Sequence, residues 1–259
     1  LGLGLGADPL DTDQLRYVFE EAAGFAALPT MAVVLAGPGF WARDPNSGIS
    51  WQKVLHGEQE IVLHAPVPPA ATMVAETKIT EIIDKGADKG ALLYQQRTLV
   101  EKTSGTKVAT LYSTTFARAD GGFGGPTGPT RPVHSLPDRA PDGFCDLPVL
   151  PQAALIYRLS GDPNPLHADP AVAAAAGFKA PILHGLCSLG VAGHAILKTC
   201  CDYDPSRFKS LGLRFSAPVY PGETIRTEIW RDGEVVSFRA RVLERDQVVL
   251  NNGKAVVAN

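Results

Sequence analysis

The sequence predicts an α+β protein built from two related halves, each an antiparallel sheet wrapped around a central helix. Three observations carry that prediction. The chain repeats itself at an offset of 152, the distance from Leu63 to Phe215. Leu63-His64-Ala65-Pro66-Val67-Pro68-Pro69-Ala70-Ala71-Thr72 then lies over Phe215-Ser216-Ala217-Pro218-Val219-Tyr220-Pro221-Gly222-Glu223-Thr224, and Glu76 falls on Glu228. Runs rich in Val, Leu, Thr and Tyr follow both copies. Finally, the stretch from about 184 to 199 is apolar nearly all round, with Leu186, Leu189, Val191, Ala192, Ala195 and Ile196 among Gly190 and Gly193. Such a helix belongs inside a protein, and a curved sheet closed around it satisfies all three observations.

In the first half, residues 72–83, 91–102 and 108–117 are the expected strands; in the second, residues 224–231, 235–244 and 247–257. Turns are expected at Lys85-Gly86, Ser104-Gly105, Asp232-Gly233 and Asn252-Gly253, since Gly after a polar residue suits a hairpin. A short helical section precedes each meander. Residues 119–150 are rich in Gly and Pro, lack periodicity and read as a crossover linker. Within them Gly121-Gly122-Phe123-Gly124-Gly125 lacks the glycine frame and the Lys-Ser/Thr of a phosphate loop. The expected division is therefore a first repeat over 1–118, a linker over 119–150 and a second repeat over 151–259.

Composition removes several function classes. At 259 residues with a net charge of -3 and scattered Lys and Arg, the chain has no nucleic-acid footprint. No apolar stretch approaches the roughly 20 residues of a membrane span. The opening Leu1-Gly2-Leu3-Gly4-Leu5-Gly6 lacks the basic start and cleavage site of a signal peptide, and without an initiator Met there is room for residues before it. Cys145, Cys187, Cys200 and Cys201 fit neither a zinc ribbon nor a disulfide framework, so reduced, buried thiols in an intracellular protein are expected. The six His form no His-x-x-x-His pair, and neither metal nor cofactor is expected.

The chemistry concentrates in Tyr157-Arg158-Leu159-Ser160-Gly161-Asp162-Pro163-Asn164-Pro165-Leu166-His167, followed by His184-Gly185. Proline fixes its own φ and restrains its predecessor, so Asp162, Asn164 and His167 are held in a nearly fixed arrangement. Asp-Pro-Asn-Pro also reads as a turn before a helix. Asp169-Pro170, however, opens its own short Ala-rich helix to about Ala176, which leaves Asp162 and His167 without a structural task. A carboxylate and an imidazole so placed can grip and polarise one water. Subtracting 152 from them gives Leu10 and Leu15, so the first half carries neither acid nor base.

Tyr-x-Leu-Ser-Gly-Asp-x-Asn-Pro-Leu-His, then five residues and Ala173, resembles the signature of the hydratase 2 family. These are the MaoC-like (R)-specific enoyl-CoA hydratases, including the hydratase unit of peroxisomal multifunctional enzyme type 2. The resemblance extends over Leu55-His56-Gly57-Glu58-Gln59, Asp84-Lys85-Gly86, the 121–125 glycines and Pro181-Ile182-Leu183-His184-Gly185-Leu186-Cys187. It implies a double hot-dog fold, an acyl-CoA thioester substrate, hydration of trans-2-enoyl-CoA to (3R)-3-hydroxyacyl-CoA and a homodimer. It also implies a peroxisomal address in a eukaryote or a cytoplasmic one in a bacterium. The chain stops at Val257-Ala258-Asn259 without a Ser-Lys-Leu-type ending.

In that chemistry Asp162 and His167 hold and deprotonate the water and return a proton to Cα. Asn164 either orients them or closes an Asx turn on its own backbone. Gly185, at the first turn of the buried helix, either donates its N–H to the thioester oxygen or is small for packing. His184 reads first as a core or loop histidine, with a ligand contact as the alternative. The resemblance further implies thioester or CoA contacts from His56, Gly57, Lys85 and Phe215, and counts Pro163, Pro165 and Leu166 with the substrate loop. Unaided, Lys85 is a solvated turn lysine and Phe215 a core or groove residue. Competing functions are a hot-dog acyl-CoA thioesterase and a noncatalytic acyl-CoA-binding module.

Overall fold

In a computed structural model of the protein, residues 10–258 are described; the Leu1–Gly6 opening lies outside them, as does Asn259. Nine strands form one antiparallel sheet: β1 Val54–Leu63, β2 Met73–Asp84, β3 Ala91–Glu101, β4 Lys107–Ala117, β5 Gly143–Pro148, β6 Phe208–Phe215, β7 Thr224–Asp232, β8 Val235–Val242 and β9 Gln247–Val257. Their order across the sheet is β2-β3-β4-β1-β6-β9-β8-β7-β5. The helices are α1 Thr12–Leu15, α2 Ala153–Tyr157, α3 Pro170–Ala175 and α4 Gly185–Cys200. This is the predicted pair of sheets, fused edge to edge where β1 meets β6 with Gln59 opposite Leu213 and Ile61 opposite Leu211. Glu58 straddles the seam, accepting from Arg214 on β6 and from Thr114 on β4.

The apolar helix is α4, with Leu189, Val191, Ala192, Ala195, Ile196 and Leu197 buried; it packs against β5, β6, β7 and β9 of the second half. Asp169 caps α3 as expected, accepting from the N–H groups of Ala171 and Val172. The first half departs from the expectation of a central helix of its own. Among its described residues only a 3-10 turn, Pro29–Val33, packs against α4 and β1. Gly24, Pro29, Gly37, Pro38 and Gly39 break any helical run there.

Three other expectations change. Residues 143–148 of the segment read as linker form β5, which pairs with β7 at the sheet edge. Much of what precedes β5 is laid on the second half: Trp230 Nε1 donates to the Arg139 carbonyl, and Asn252 Nδ2 to that of His134. Asn252-Gly253 is no hairpin turn but a bulge inside β9, with Asn252 at φ 53° and Gly253 opposite Phe238. The β8–β9 turn is made instead by Leu243–Arg245 and Asp246, at φ 48°. Strands β1 and β6 were not foreseen.

Candidate active site

The signature loop folds by local hydrogen bonds. Asp162 Oδ1 accepts from Asn164 N–H at 3.1 Å, and Asn164 Oδ1 accepts from Leu166 N–H at 3.1 Å. The second bond caps the 3-10 turn Pro165–His167, so Asn164 does close an Asx turn and only its amide Nδ2 is left for a water or for Asp162. Arg158 Nη1 donates to the carbonyls of Pro163 and Asn164 at 3.1 and 3.3 Å, pinning the loop from behind. Pro163 and Pro165 are exposed and Leu166 half-buried.

This scaffold turns His167 inward. Its Nδ1 lies 2.8 Å from the carbonyl of Ile182. A carbonyl only accepts, so Nδ1 carries the proton and Nε2 keeps its lone pair. Burial lowers the pKa of His167, which favours the neutral ring. A second imidazole completes the group. His184 is 2% exposed and stacks on His167 with ring centroids 3.7 Å apart and 26° between planes. Its Nε2 lies 3.4 Å from the Asp162 carbonyl and 4.0 Å from the Asp162 carboxylate, and the Tyr157 ring is 4.5 Å away on its other side.

The donor atoms of Asp162, His167 and His184 lie within 4.8 Å of one another, close enough for a divalent ion. The stack does not suit one. An imidazole ligates in its own plane at about 2.0–2.1 Å from the metal. Two nearly parallel rings 3.7 Å apart direct their lone pairs side by side rather than at a common point. A water hydrogen-bonded to one carboxylate and one Nε2 asks far less of the geometry.

Next along the chain Gly185 opens α4, whose cap, His184, makes no side-chain hydrogen bond to the helix's own N–H groups. The first-turn N–H groups therefore face outward with the helix dipole behind them. A side chain on Gly185 would meet the Phe215 ring at 3.2 Å, so a small residue is also required by packing. Phe215 in turn lies 4.8 Å, ring to ring, from His56. His56 Nε2 is buried without a partner, and burial pushes this imidazole down to about 4 while the Asp162 charge works the other way. Gly57 forms the bulge that sets His56, because a side chain there would come within 3.1 Å of the Thr114 carbonyl.

Asp162, His167, His184, Gly185, Phe215 and His56 thus form one contiguous group at the α4 N-terminus. Lys85 stands apart. It lies in the β2–β3 turn at the same end of the sheet but three strands from β1, about 14 Å at the usual strand spacing. Asp84 ties that turn to the 121–125 glycines, accepting from the N–H groups of Gly86, Gly122 and Gly124 at 2.9, 2.7 and 2.9 Å. Those three donors, Gly122 foremost, hold its carboxyl below the usual range. Beside the 121–125 glycines lies an apolar groove of about 560 Å³, lined by Trp41, Ile49, Ile79, Ile82, Leu93 and Phe123. Ile82 pairs with Leu93, Leu93 with Thr115 and Thr115 with His56, and paired residues share a face. The groove and His56 therefore open on the same side of the sheet.

His184 is buried, as its reading as a core histidine expects, but its contacts with Asp162 and His167 and the hold of Arg158 on the loop are not evident from sequence. Both sat in the quoted motifs, and a histidine immediately before the helix-opening glycine was the available signal. All four cysteines are free and buried, as expected. Among the described residues no helix is long and apolar enough to cross a membrane.

Known proteins resemble this chain in sequence and fold. Residues 1–119 match the MFE-2 hydratase 2 N-terminal domain and residues 132–252 the MaoC like domain. A probable enoyl-CoA hydratase 2 of Dictyostelium discoideum is 42% identical over 94% of this chain and 84% of its own length. The peroxisomal multifunctional enzyme type 2 of Mus musculus is 39% identical over 96% of this chain, which spans only 34% of that larger enzyme. The crystal structure of a MaoC-like dehydratase from Phytophthora capsici superposes with a TM-score of 0.84 at 36% identity, over 95% of this chain and 87% of that one. With the double hot-dog sheet, the signature loop and relatives of this identity along both halves, the chain belongs to the MaoC-like enoyl-CoA hydratase 2 family of lyases.

Proposed function

We propose that the protein adds water to trans-2-enoyl-CoA thioesters to give (3R)-3-hydroxyacyl-CoA, reversibly and without a cofactor. The observation that carries this reading is the fixed tautomer of His167. With Nδ1–H committed to Ile182, Nε2 keeps its lone pair, on a ring with a nitrogen within 4.8 Å of an Asp162 carboxylate oxygen. A water held between them donates one hydrogen to each. As its oxygen bonds to Cβ, Nε2 takes one of its protons, and the π electrons move through Cα to the thioester oxygen. The Gly185 N–H stabilises that oxygen as charge builds. The imidazolium then returns its proton to Cα on the same face, so one H and one OH have been added and the enzyme is restored.

The two repeats divide the work along the 1–118, 119–150 and 151–259 partition. The second repeat supplies acid, base and oxyanion donor. The first supplies His56 and the apolar groove, which in the absence of a central helix takes the acyl chain. Lys85, charged and on a turn at the same end of the sheet, meets a CoA phosphate. Two copies pair in solution, and the address is the peroxisome in a eukaryotic host or the cytoplasm in a bacterial one.

The test is loss of enoyl-thioester absorbance with crotonyl-CoA and trans-2-decenoyl-CoA, with chiral analysis of the product. Asp162→Asn keeps an oxygen for the Asn164 N–H and so spares the loop, yet turnover falls by about 10²–10⁴. Free thiol appearing in place of hydrated product would make the protein a thioesterase. Unchanged turnover in both Asp162→Asn and His167→Gln would remove the acid–base group from the reaction.

A further inference from the structure

We propose that His184 is a positioning residue of the acid–base group, fixing the plane of the His167 ring and holding the Asp162 carboxylate toward the water. The proposal deepens the hydratase reading and rests on it. A histidine filling core space has both nitrogens satisfied; this one does not. It is 2% exposed, and its Nδ1 is buried without a hydrogen-bond partner. An orphaned buried polar atom is costly, and a core phenylalanine would avoid the cost. What the imidazole contributes is on its other edge. Facing the Asp162 carbonyl at 3.4 Å, Nε2 must carry the proton, and the same N–H looks toward the carboxylate 4.0 Å away. His184 thereby donates to the residue that grips the water, while its face lies flat on the residue that takes the proton.

The stack has an electrostatic consequence. Two imidazolium ions 3.7 Å apart repel, so a proton on one ring disfavours a second on the other. The other groups facing the pair are Asp162, which favours the charged forms, and Arg158, which opposes them. Tyr157, with its phenol pushed up by burial, and Cys187, raised to about 11, stay neutral; His56 beyond Phe215 is held near 4. Burial and the His167 charge press His184 itself to about 4. A charge on His167 thus disfavours a charge on His184.

Two substitutions separate the roles. His184→Phe keeps a ring on the stack but removes the donor to Asp162. That loss leaves the carboxylate charge less compensated and raises the pH at which the base becomes protonated, so the acidic limb of the kcat–pH profile for crotonyl-CoA moves up. The expected fall in kcat is about 10–100-fold with KM changed less than about threefold, the scale seen when a supporting hydrogen bond behind a reacting group is lost. His184→Gln restores a donor, and its acidic limb returns to the wild-type position. If the His184→Phe profile superimposes on wild type, or only KM changes, His184 is a packing residue and the proposal fails. Should neither variant fold, imidazole NMR titration of the wild-type protein decides: His167 and His184 must titrate as a coupled pair, and independent curves overturn the proposal. Wild-type turnover of crotonyl-CoA reports separately on the hydratase reading, which can fail while the coupled titration stands.

Discussion

The N–H of Gly185 can be removed without removing the helix it opens. Gly185 is the first helical residue of α4, the position where proline is best tolerated because its missing N–H has no partner inside the helix. The preceding residue, His184, sits at φ -59° and ψ 135°, within the extended range a following proline demands. Gly185→Pro therefore deletes the proposed oxyanion donor from an otherwise compatible backbone. The added carbons do carry a steric cost, and Gly185→Ala measures it. Its Cβ would lie 3.2–3.3 Å from the Phe215 ring, against about 3.5–4.0 Å for a relaxed carbon contact, so the ring must give by a few tenths of an ångström. Phe215 is only half-buried, and the alanine recovers up to about 1 kcal/mol of chain entropy, so the two terms nearly cancel. Alanine should thus lose less than about tenfold in kcat, whereas losing an oxyanion donor costs about 10²–10³, or about 2.7–4 kcal/mol. The assay is hydration of crotonyl-CoA by wild type, Gly185→Ala and Gly185→Pro, with folding checked by circular dichroism. A folded Gly185→Pro protein whose kcat lies within about threefold of Gly185→Ala refutes the donor.

Two further outcomes follow from the same geometry. His56 and His184 are both held near 4 by burial, and His167 is lowered. An unfolded imidazole titrates near about 6.5, so between about 6.5 and 4 the unfolded chain binds protons that the folded chain refuses. Thermal stability should therefore decline as pH falls through that window, and the decline should be shallower in His56→Gln; a Tm constant from pH 7 to 5 contradicts the burial argument. In the apolar groove, Ile82→Trp should cut turnover of trans-2-decenoyl-CoA at least tenfold relative to crotonyl-CoA, by filling space the longer chain needs. An unchanged ratio of the two rates moves the acyl chain elsewhere.

The strands read from the sequence, β2 to β4 and β7 to β9, are long, rich in branched and aromatic residues and bounded by turn residues. Those missed lack such signals. β1 places the polar His56 and Gln59 inward, and its Gly57 bulge shifts the alternation between them. β6 carries Gly212 mid-strand, and β5 has six residues at a sheet edge. Asn252-Gly253 shows that a strong local turn signal yields to pairing on both sides, since β9 lies between β6 and β8 and absorbs the extra residue as a bulge. The Asp162–His167 relation was legible because it is local and stiffened by proline. The contacts of His184 and His56 were not, because the stack depends on how α4 meets the loop and the His56–Phe215 contact on the β1–β6 seam.

The first half does without a central helix of its own. A sheet face without a covering element leaves apolar surface open to water, a cost of roughly 25 cal/mol for each Å² left exposed. Here α4 packs on the second half, and the Pro29–Val33 turn, seated against α4, β1 and β4, joins Ile61, Leu99, Ala109 and Leu111 of the first half to the same core. At its outer end Ala91, Leu93 and Ala117 are buried under Trp41, Ile49 and Val54 in a second, smaller cluster. The groove lined by Trp41, Ile49, Ile82 and Leu93 beside that cluster is apolar and opens on the same side of the sheet as His56. A helix of the first half's own laid across this end would bury the same side chains and close the groove.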